Sequence, residues 1–175
     1  MNLELVPYSL EYLDAFARWR TQAATVRHNP LKSLSMPELQ SMLEAECADL
    51  GGEGDTGYRW FVRVDGAVVG SVSLKNVNVQ MAYAEIGYGL CESVHGRGVG
   101  TEAVRHLVDR AFGGTSLRRL VAYVHDQNEA SCRLLARLGF AREGVLREHY
   151  VIGGQPADEV VYGLLRREWE GWRRS

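Results

Sequence analysis

Apolar positions change period several times along the chain, and each change marks an element. Leu3 to Val6 reads as a short strand, and after Pro7 the residues Tyr12, Leu13, Phe16, Ala17 and Trp19 recur at helical spacing. Ser35 is placed as the N-cap of a second helix with Pro37 in its first turn. That helix carries Met36, Leu39, Met42, Leu43 and Leu50 and ends in Gly51, Gly52 and Gly54. Trp60 to Val64 and Ala67 to Leu74 are two strands joined by Asp65-Gly66, a strong type I′ hairpin signal. After a turn at Asn76 to Asn78, Met81 to Leu90 forms the next strand.

In the second half, Ala103, Val104, Leu107, Val108, Ala111 and Phe112 mark one face of a helix that stops at Gly113-Gly114. Leu120 to Val124 is a short buried strand. Asn128 is suited to N-cap a helix through Leu138, with Ala130, Leu134, Leu135 and Leu138 on one stripe and Gly139 closing it. Val145 to Ile152 and Glu159 to Leu165, divided by Gly153-Gly154, finish the chain as a hairpin. This order predicts the α/β class: one domain over residues 1–175, with a mixed central sheet of about six or seven strands flanked by about four helices. Only the strands Met81 to Leu90 and Leu120 to Val124 are joined by a parallel crossover, and the crevice at their carboxyl ends is where open α/β sheets take ligands.

The stretch between those two strands carries the chemistry. His95-Gly96-Arg97-Gly98-Val99-Gly100-Thr101-Glu102-Ala103 brings three glycines and an arginine straight into a helix. Glycines let main-chain N–H groups approach an anion closely, and the helix start adds unpaired donors and the positive end of its dipole. The same residues would also serve as a plain glycine-rich turn that starts a helix, so context decides. A Walker loop is excluded, since no Gly-Lys-Ser or Gly-Lys-Thr occurs. Gly98-x-Gly100-x-x-Ala103, with Asp126 beyond the next strand, satisfies a dinucleotide-binding spacing, but that fold needs several parallel strands where one crossover is visible.

Composition narrows the partners. The 175 residues are 46% hydrophobic and 24% charged with a formal charge of -2, as expected of one globular domain, and without a block of five or six like charges they give no reason to invoke nucleic acid or a membrane surface. Neither a signal-peptide pattern nor an apolar run of about 18 residues occurs, so a cytoplasmic protein is expected. Cys47, Cys91 and Cys132 are odd in number and lack CxxC spacing, which argues against a zinc site and a disulfide framework. His28, His106 and His125 lack paired ligand spacing, and no metal is expected. Residues 95–119 hold Arg97, Arg105, Arg110, Arg118 and Arg119 against Glu102 and Asp109, whereas residues 38–55 hold Glu38, Glu44, Glu46, Asp49, Glu53 and Asp55 and no Lys or Arg. The first region suits an anionic ligand and the second a cationic one, although ordinary solvated helix faces would look the same.

The loop His95-Gly96-Arg97-Gly98-Val99-Gly100 resembles the Gln/Arg-x-x-Gly-x-Gly/Ala pyrophosphate loop of the GCN5-related N-acetyltransferases (GNAT). Ala84-Glu85-Ile86-Gly87-Tyr88, Thr101-Glu102-Ala103, Asn128-Glu129-Ala130-Ser131, Leu138-Gly139-Phe140 and Glu143-Gly144-Val145-Leu146-Arg147 carry the resemblance further, toward the branch that acetylates ribosomal-protein N-termini. It implies acetyl-CoA as co-substrate and a primary amine as acceptor, either a protein N-terminus or a small amine such as a polyamine or aminoglycoside. A longer acyl donor and a noncatalytic acyl-CoA-binding module stay open, as does a homodimer. It also implies that the main chain of Tyr88, Gly89 and Leu90 and the loop His95, Gly96, Arg97, Gly98, Val99 and Gly100 bind the cofactor, with Asn128 in contact. His95 departs from the family's Gln or Arg, which leaves a side-chain contact there in question but not the backbone cradle.

Amide formation from a thioester needs a neutral amine and a stabilised leaving thiolate. Glu85, on the strand beside the crevice, leads as acceptor of the amine proton through water, with Tyr150, Glu148 and His149 as substitutes. Many family members place a tyrosine seven residues after the Asn128 position; here that residue is Leu135, which turns attention to the Ser131 hydroxyl as donor to the sulfur. Arg133 and Arg137 are candidates to reach the 3′-phosphate. Cys91 and Cys132 have no His-Asp constellation in the sequence, so direct transfer is expected rather than an acyl-cysteine.

Overall fold

The computed structural model describes residues 1–46 and 57–174, with side chains up to residue 171. In chain order it comprises β1 (Leu3–Val6), α1 (Leu13–Arg20), α2 (Ala23–Val26), α3 (Met36–Ala45), β2 (Tyr58–Val64), β3 (Ala67–Asn78), β4 (Tyr83–Leu90), α4 (Val99–Gly114), β5 (Arg119–His125), α5 (Glu129–Arg137), β6 (Ala141–Ile152), β7 (Gln155–Leu165) and α6 (Arg166–Arg174). The strands form one seven-stranded sheet in the order β1-β2-β3-β4-β5-β7-β6. Every neighbouring pair is antiparallel except β4 and β5.

Local chemistry explains most boundaries. Glu38 accepts both the Ser35 N–H at 2.7 Å and the Ser35 hydroxyl at 2.6 Å, which ties down the entry to α3. Asp65 and Gly66 both take positive φ, 47° and 88°, as a type I′ turn between β2 and β3 requires. The Asn128 side chain accepts the Ser131 N–H at 3.2 Å and caps α5.

The structure corrects four boundaries and adds two helices. β3 runs on through Asn78 instead of turning at Asn76: Asn76 takes φ 47° inside a register shift, and the chain reverses over residues 79–82, where Asn78 Oδ1 accepts the Met81 N–H at 2.8 Å. β4 therefore starts at Tyr83 and not at Met81. α4, by contrast, does stop at Gly113-Gly114, where Thr115 turns extended while its hydroxyl donates to the Ala111 carbonyl at 2.6 Å. β6 and β7 both begin earlier than expected. The short α2 and the terminal α6 were not anticipated; α6 buries Trp169, and Arg166 donates to the Leu117 and Thr115 carbonyls at 2.8 and 2.7 Å and also to Phe112. The expected end of α3 in Gly51, Gly52 and Gly54, and its position Leu50, lie outside the described residues.

Alternation along the strands sorts side chains onto two faces. Val72, Leu74, Ala84, Ile86, Leu120, Ala122, Val160 and Leu164 pack with α4, α5 and Trp169 into the larger core. Phe61 heads the opposite face, where it packs on Phe16, Trp19, Leu39 and Leu43 of α1 and α3.

Candidate active site

Three pairs join β4 to β5, Tyr83 with Arg119, Ala84 with Leu120 and Glu85 with Val121. β4 continues to Leu90 and β5 to His125, so beyond Glu85 the two strands part and leave a cleft through the sheet. Main-chain groups on the cleft side of β4 follow from the register. The Cys91 N–H donates to the Val69 carbonyl at 2.8 Å, which makes Leu90 opposite Gly70 a non-hydrogen-bonded pair. Leu90 and Tyr88 therefore turn their own N–H and C=O toward the cleft, whereas Gly89 turns its main chain toward Ser71 of β3.

The loop that follows is folded back onto this strand. His95 Nε2–H donates to the Leu90 carbonyl at 3.1 Å, the tautomer being set by an oxygen that only accepts. Gly96 and Gly98 take φ of 73° and 80°, and a Cβ on either would point into open space. Such an exposed left-handed turn leads to the first helical bond of α4, from the Glu102 N–H to the Gly98 carbonyl at 3.2 Å, so the N–H groups of Val99, Gly100 and Thr101 have no helical acceptor. Gly100 matters for packing instead, because a Cβ there would lie 3.1 Å from Leu134 Cδ1 and 3.3 Å from Leu90 Cδ1; its bareness lets α4 approach α5 and the end of β4. An open left-handed turn, unpaired N–H groups and the adjacent cleft fit a diphosphate whose slender arm enters the sheet.

Most arginines of this region are already engaged. Arg105 pairs with Glu102 and Asp109, Arg119 with Glu143, and Arg118 donates to the Met81 carbonyl at 2.9 Å. Arg110 lies over the Trp60 ring at 5.2 Å. Arg97 has no ion pair among the described residues, so the apparent basic cluster reduces to one cation at the loop. Arg133 pairs with Glu129 at 2.8 Å.

On the α4–α5 face of the cleft, Tyr88, Ser131, Cys132 and Tyr162 form one group. The Tyr88 hydroxyl is fully buried without a hydrogen bond of good geometry among the described residues. Burial pushes its pKa up to about 12, and the neighbouring Ser131 hydroxyl is what opposes that rise. Burial and Cys132 raise Tyr162 as well. Cys91 and Cys132 are both half-buried free thiols.

Across the sheet a second group gathers. Glu85, Tyr123, His125 and Glu159 share the α1–α3 face, since Glu85 stands opposite Val121 and His125 opposite Glu159. Glu85 accepts from Asn76 Nδ2 at 2.7 Å. Glu159 is completely buried; His149 Nδ1–H donates to its Oε2 at 2.5 Å, and its Oε1 has no partner among the described residues. Burial, then Glu159 and Glu85, raise Tyr150 above the usual phenol range, and burial with the same two carboxylates raises Tyr123. His28 Nδ1 meets His125 Nδ1 at 3.0 Å, and burial, His125 and Arg27 hold His28 below its usual value.

The structure thus brings Glu85 and Tyr150 together on one face and Ser131 and Tyr88 together on the other, with the cleft between them. Sequence reasoning missed Glu159, the buried Tyr88 hydroxyl and the histidine pair. The position of Glu159 directly before the apolar run Val160 to Leu165 was the available signal for the first. Among the described residues no group of three or more His, Cys, Asp or Glu side chains is placed to hold a metal, and no helix is long and apolar enough to cross a membrane.

Residues 2–141 match the family model described as Acetyltransferase (GNAT) domain. The chain belongs to that family of acyltransferases, whose donor is acetyl-CoA. It is 30% identical over 172 residues to the uncharacterized N-acetyltransferase p20 of Bacillus licheniformis, covering 97% of this chain and 96% of that one. It is 38% identical over 107 residues to YdaF of Bacillus subtilis, which carries a provisional ribosomal N-acetyltransferase designation; the match spans 61% of this chain and 58% of that one. Mycobacterium smegmatis RimJ, solved in complex with CoA-disulfide, superposes with a TM-score of 0.84 at 24% identity over 95% of this chain and 83% of its own, a likeness of fold.

Proposed function

We propose that the protein, acting in the cytoplasm as a single domain over residues 1–175, transfers an acetyl group from acetyl-CoA directly to a primary amine, and that this amine is a protein N-terminal α-amine of the ribosomal-protein type. The observation that carries the reading is the parting of β4 and β5 beyond Glu85, with a phosphate cradle at one mouth and carboxylates on the opposite face. The loop His95 to Gly100 holds the diphosphate, the main chain of Tyr88 and Leu90 lines the pantetheine arm, and Gly89 leaves room beside it. Asn128 fixes the start of α5 so that Ser131 can donate to the departing thiolate. Glu85 and Tyr150 face the incoming amine.

An α-amine suits this site on energetic grounds. Near pH 7 an α-amine of pKa about 7.8 is roughly a tenth neutral, whereas a lysine amine near 10.4 is neutral about once in a few thousand molecules. A polyamine or aminoglycoside is the second reading, favoured by the two carboxylates, Glu85 and Glu159, on the acceptor face. YdaF supports the first reading by its designation, and the spermidine N(1)-acetyltransferase of Escherichia coli, 31% identical over 111 residues, supports the second.

Steady-state kinetics with acetyl-CoA, comparing N-terminal peptides with spermidine by release of free thiol, tests the proposal. The α-amine reading expects kcat/KM for the better peptide at least tenfold above that for spermidine. The reverse order hands the site to the small amines, and cofactor binding without thiol release from any amine overturns N-acetyl transfer itself.

A further inference from the structure

The acceptor face holds a carboxylate–histidine pair that the proposed roles of Glu85, Tyr150 and Ser131 leave unused. Its origin is a defect in the last hairpin. Leu146 stands opposite Glu159 and Tyr150 opposite Ala157, so Arg147, Glu148 and His149 together oppose Asp158 alone. Glu148 sits at φ 50°, and its N–H is pinned by Asp158 Oδ1 at 2.8 Å. Unbroken alternation would put His149, three residues from Leu146, on the face away from Glu159. The bulge turns it back, a recognised use of such irregularities beside functional sites.

What it reaches is unusual. Glu159 is the one charged residue among the described ones with no solvent exposure, and His149 is its hydrogen-bonding partner, half exposed and stacked on Tyr150 at 5.2 Å. Because a carboxylate only accepts, the bond places the proton on His149 Nδ1 and leaves Nε2 as the basic nitrogen. The other titratable groups around the pair are Tyr123 and His125 on β5, Glu85 on β4, Tyr150 on β6, Asp158 on β7 and His28 against His125.

We infer that His149, held in its tautomer and orientation by Glu159, is the general base that takes the ammonium proton of the acceptor. This deepens the N-acetyltransferase reading and rests on it. The acceptor R–NH3⁺ gives one proton to His149 Nε2. The freed nitrogen pair forms the C–N bond with the acyl carbon, the C–S pair leaves on sulfur, the sulfur takes a proton by way of the Ser131 hydroxyl, which is refilled by the second proton of the nitrogen, and His149 releases the first proton to solvent. Geometry favours His149 here: it is half exposed, with its Nδ1–H tied to Glu159 and Nε2 left to receive a proton. Glu85 is in addition engaged by Asn76, and Tyr150, its proton held on by burial and two carboxylates, is a donor and not a base. In this assignment His149 is the group that meets the amine, and Glu159 is a positioning residue that acts through it.

The test is the pH profile of kcat/KM for the full chain with its better amine. H149A is expected to lose about tenfold to a hundredfold in kcat, keep its KM for acetyl-CoA, lose the acid limb of the wild-type profile, and recover part of its rate with added imidazole. E159Q, if folded by circular dichroism, should move that limb to lower pH, because removing the anion disfavours the imidazolium. Should E159Q fail to fold, H149A at the half-exposed position still decides. An H149A profile superimposable on the wild type, or a loss that imidazole leaves untouched, overturns the inference while the wild-type activity stands; a wild type that acetylates no amine overturns the underlying reading instead.

Discussion

His95 reaches back over four residues of a 3-10 turn to donate to the Leu90 carbonyl, and so closes the phosphate loop onto the last residue of β4. One bond therefore sets the distance between the diphosphate cradle and the pantetheine strand. Replacing His95 by Ala should raise the KM for acetyl-CoA by about threefold to tenfold, the range of one net hydrogen bond, with kcat little changed. Gln, which can also donate to a carbonyl, should restore most of the loss. Initial rates against acetyl-CoA concentration measure both.

Gly98 and Gly100 are two residues apart and should respond to different degrees. Gly98 needs its left-handed φ of 80°, so Gly98→Ala carries a strain of about 1–2 kcal/mol and should lower Tm by roughly 2–8 °C. Gly100→Ala keeps ordinary helical angles and meets two leucine methyls that can yield, while alanine gains about 1 kcal/mol in helix propensity. Its Tm should fall less than that of Gly98→Ala. Differential scanning calorimetry of the two variants checks the order.

Ser131 contributes its N–H to the Asn128 cap through the main chain, so removing the hydroxyl leaves α5 intact. Ser131→Ala should lower kcat by about tenfold to a hundredfold without changing the Kd of acetyl-CoA. Unchanged turnover would take Ser131 out of the chemistry. Tyr88→Phe removes a buried hydroxyl that has no good partner, so its thermal stability should match or exceed the wild type by up to about 1 kcal/mol.

Arg119 holds the Glu143 carboxyl below its ordinary 4.5, first through their hydrogen bond and then through charge. A carboxyl that binds protons less readily folded than unfolded stabilises the fold fully above about pH 4.5, and the gain fades as pH falls through its lowered folded value. The pair is partly exposed, so the effect is small. Glu143→Gln should flatten the fall of Tm below pH 4.5 and lower Tm slightly at neutral pH, as thermal melts across an acid series will register.

Elements with one dominant local signal were legible in the sequence. Asp65-Gly66, Ser35 with Pro37 behind it, and Asn128 each fix a boundary by chemistry confined to a few residues, and the structure places the boundary there. Features that depend on partners far along the chain were not legible. Arg119 is basic in the sequence but spent on Glu143, 24 residues away. α6, beyond the hairpin on which the sequence reading ended, is held by Arg166 on carbonyls of α4 and the segment after it, 49 to 54 residues upstream. His149 was visible as a residue, whereas its turn toward Glu159 depends on a bulge that strand alternation does not encode.

That bulge bears on assembly. The sheet has two rims, β1 with four residues and β6 with its ladder interrupted at Arg147 to His149. Neither offers a long, flat row of free amides on which a second molecule could extend the sheet. The distortion that delivers a histidine also breaks up the rim on which a strand of another molecule could add.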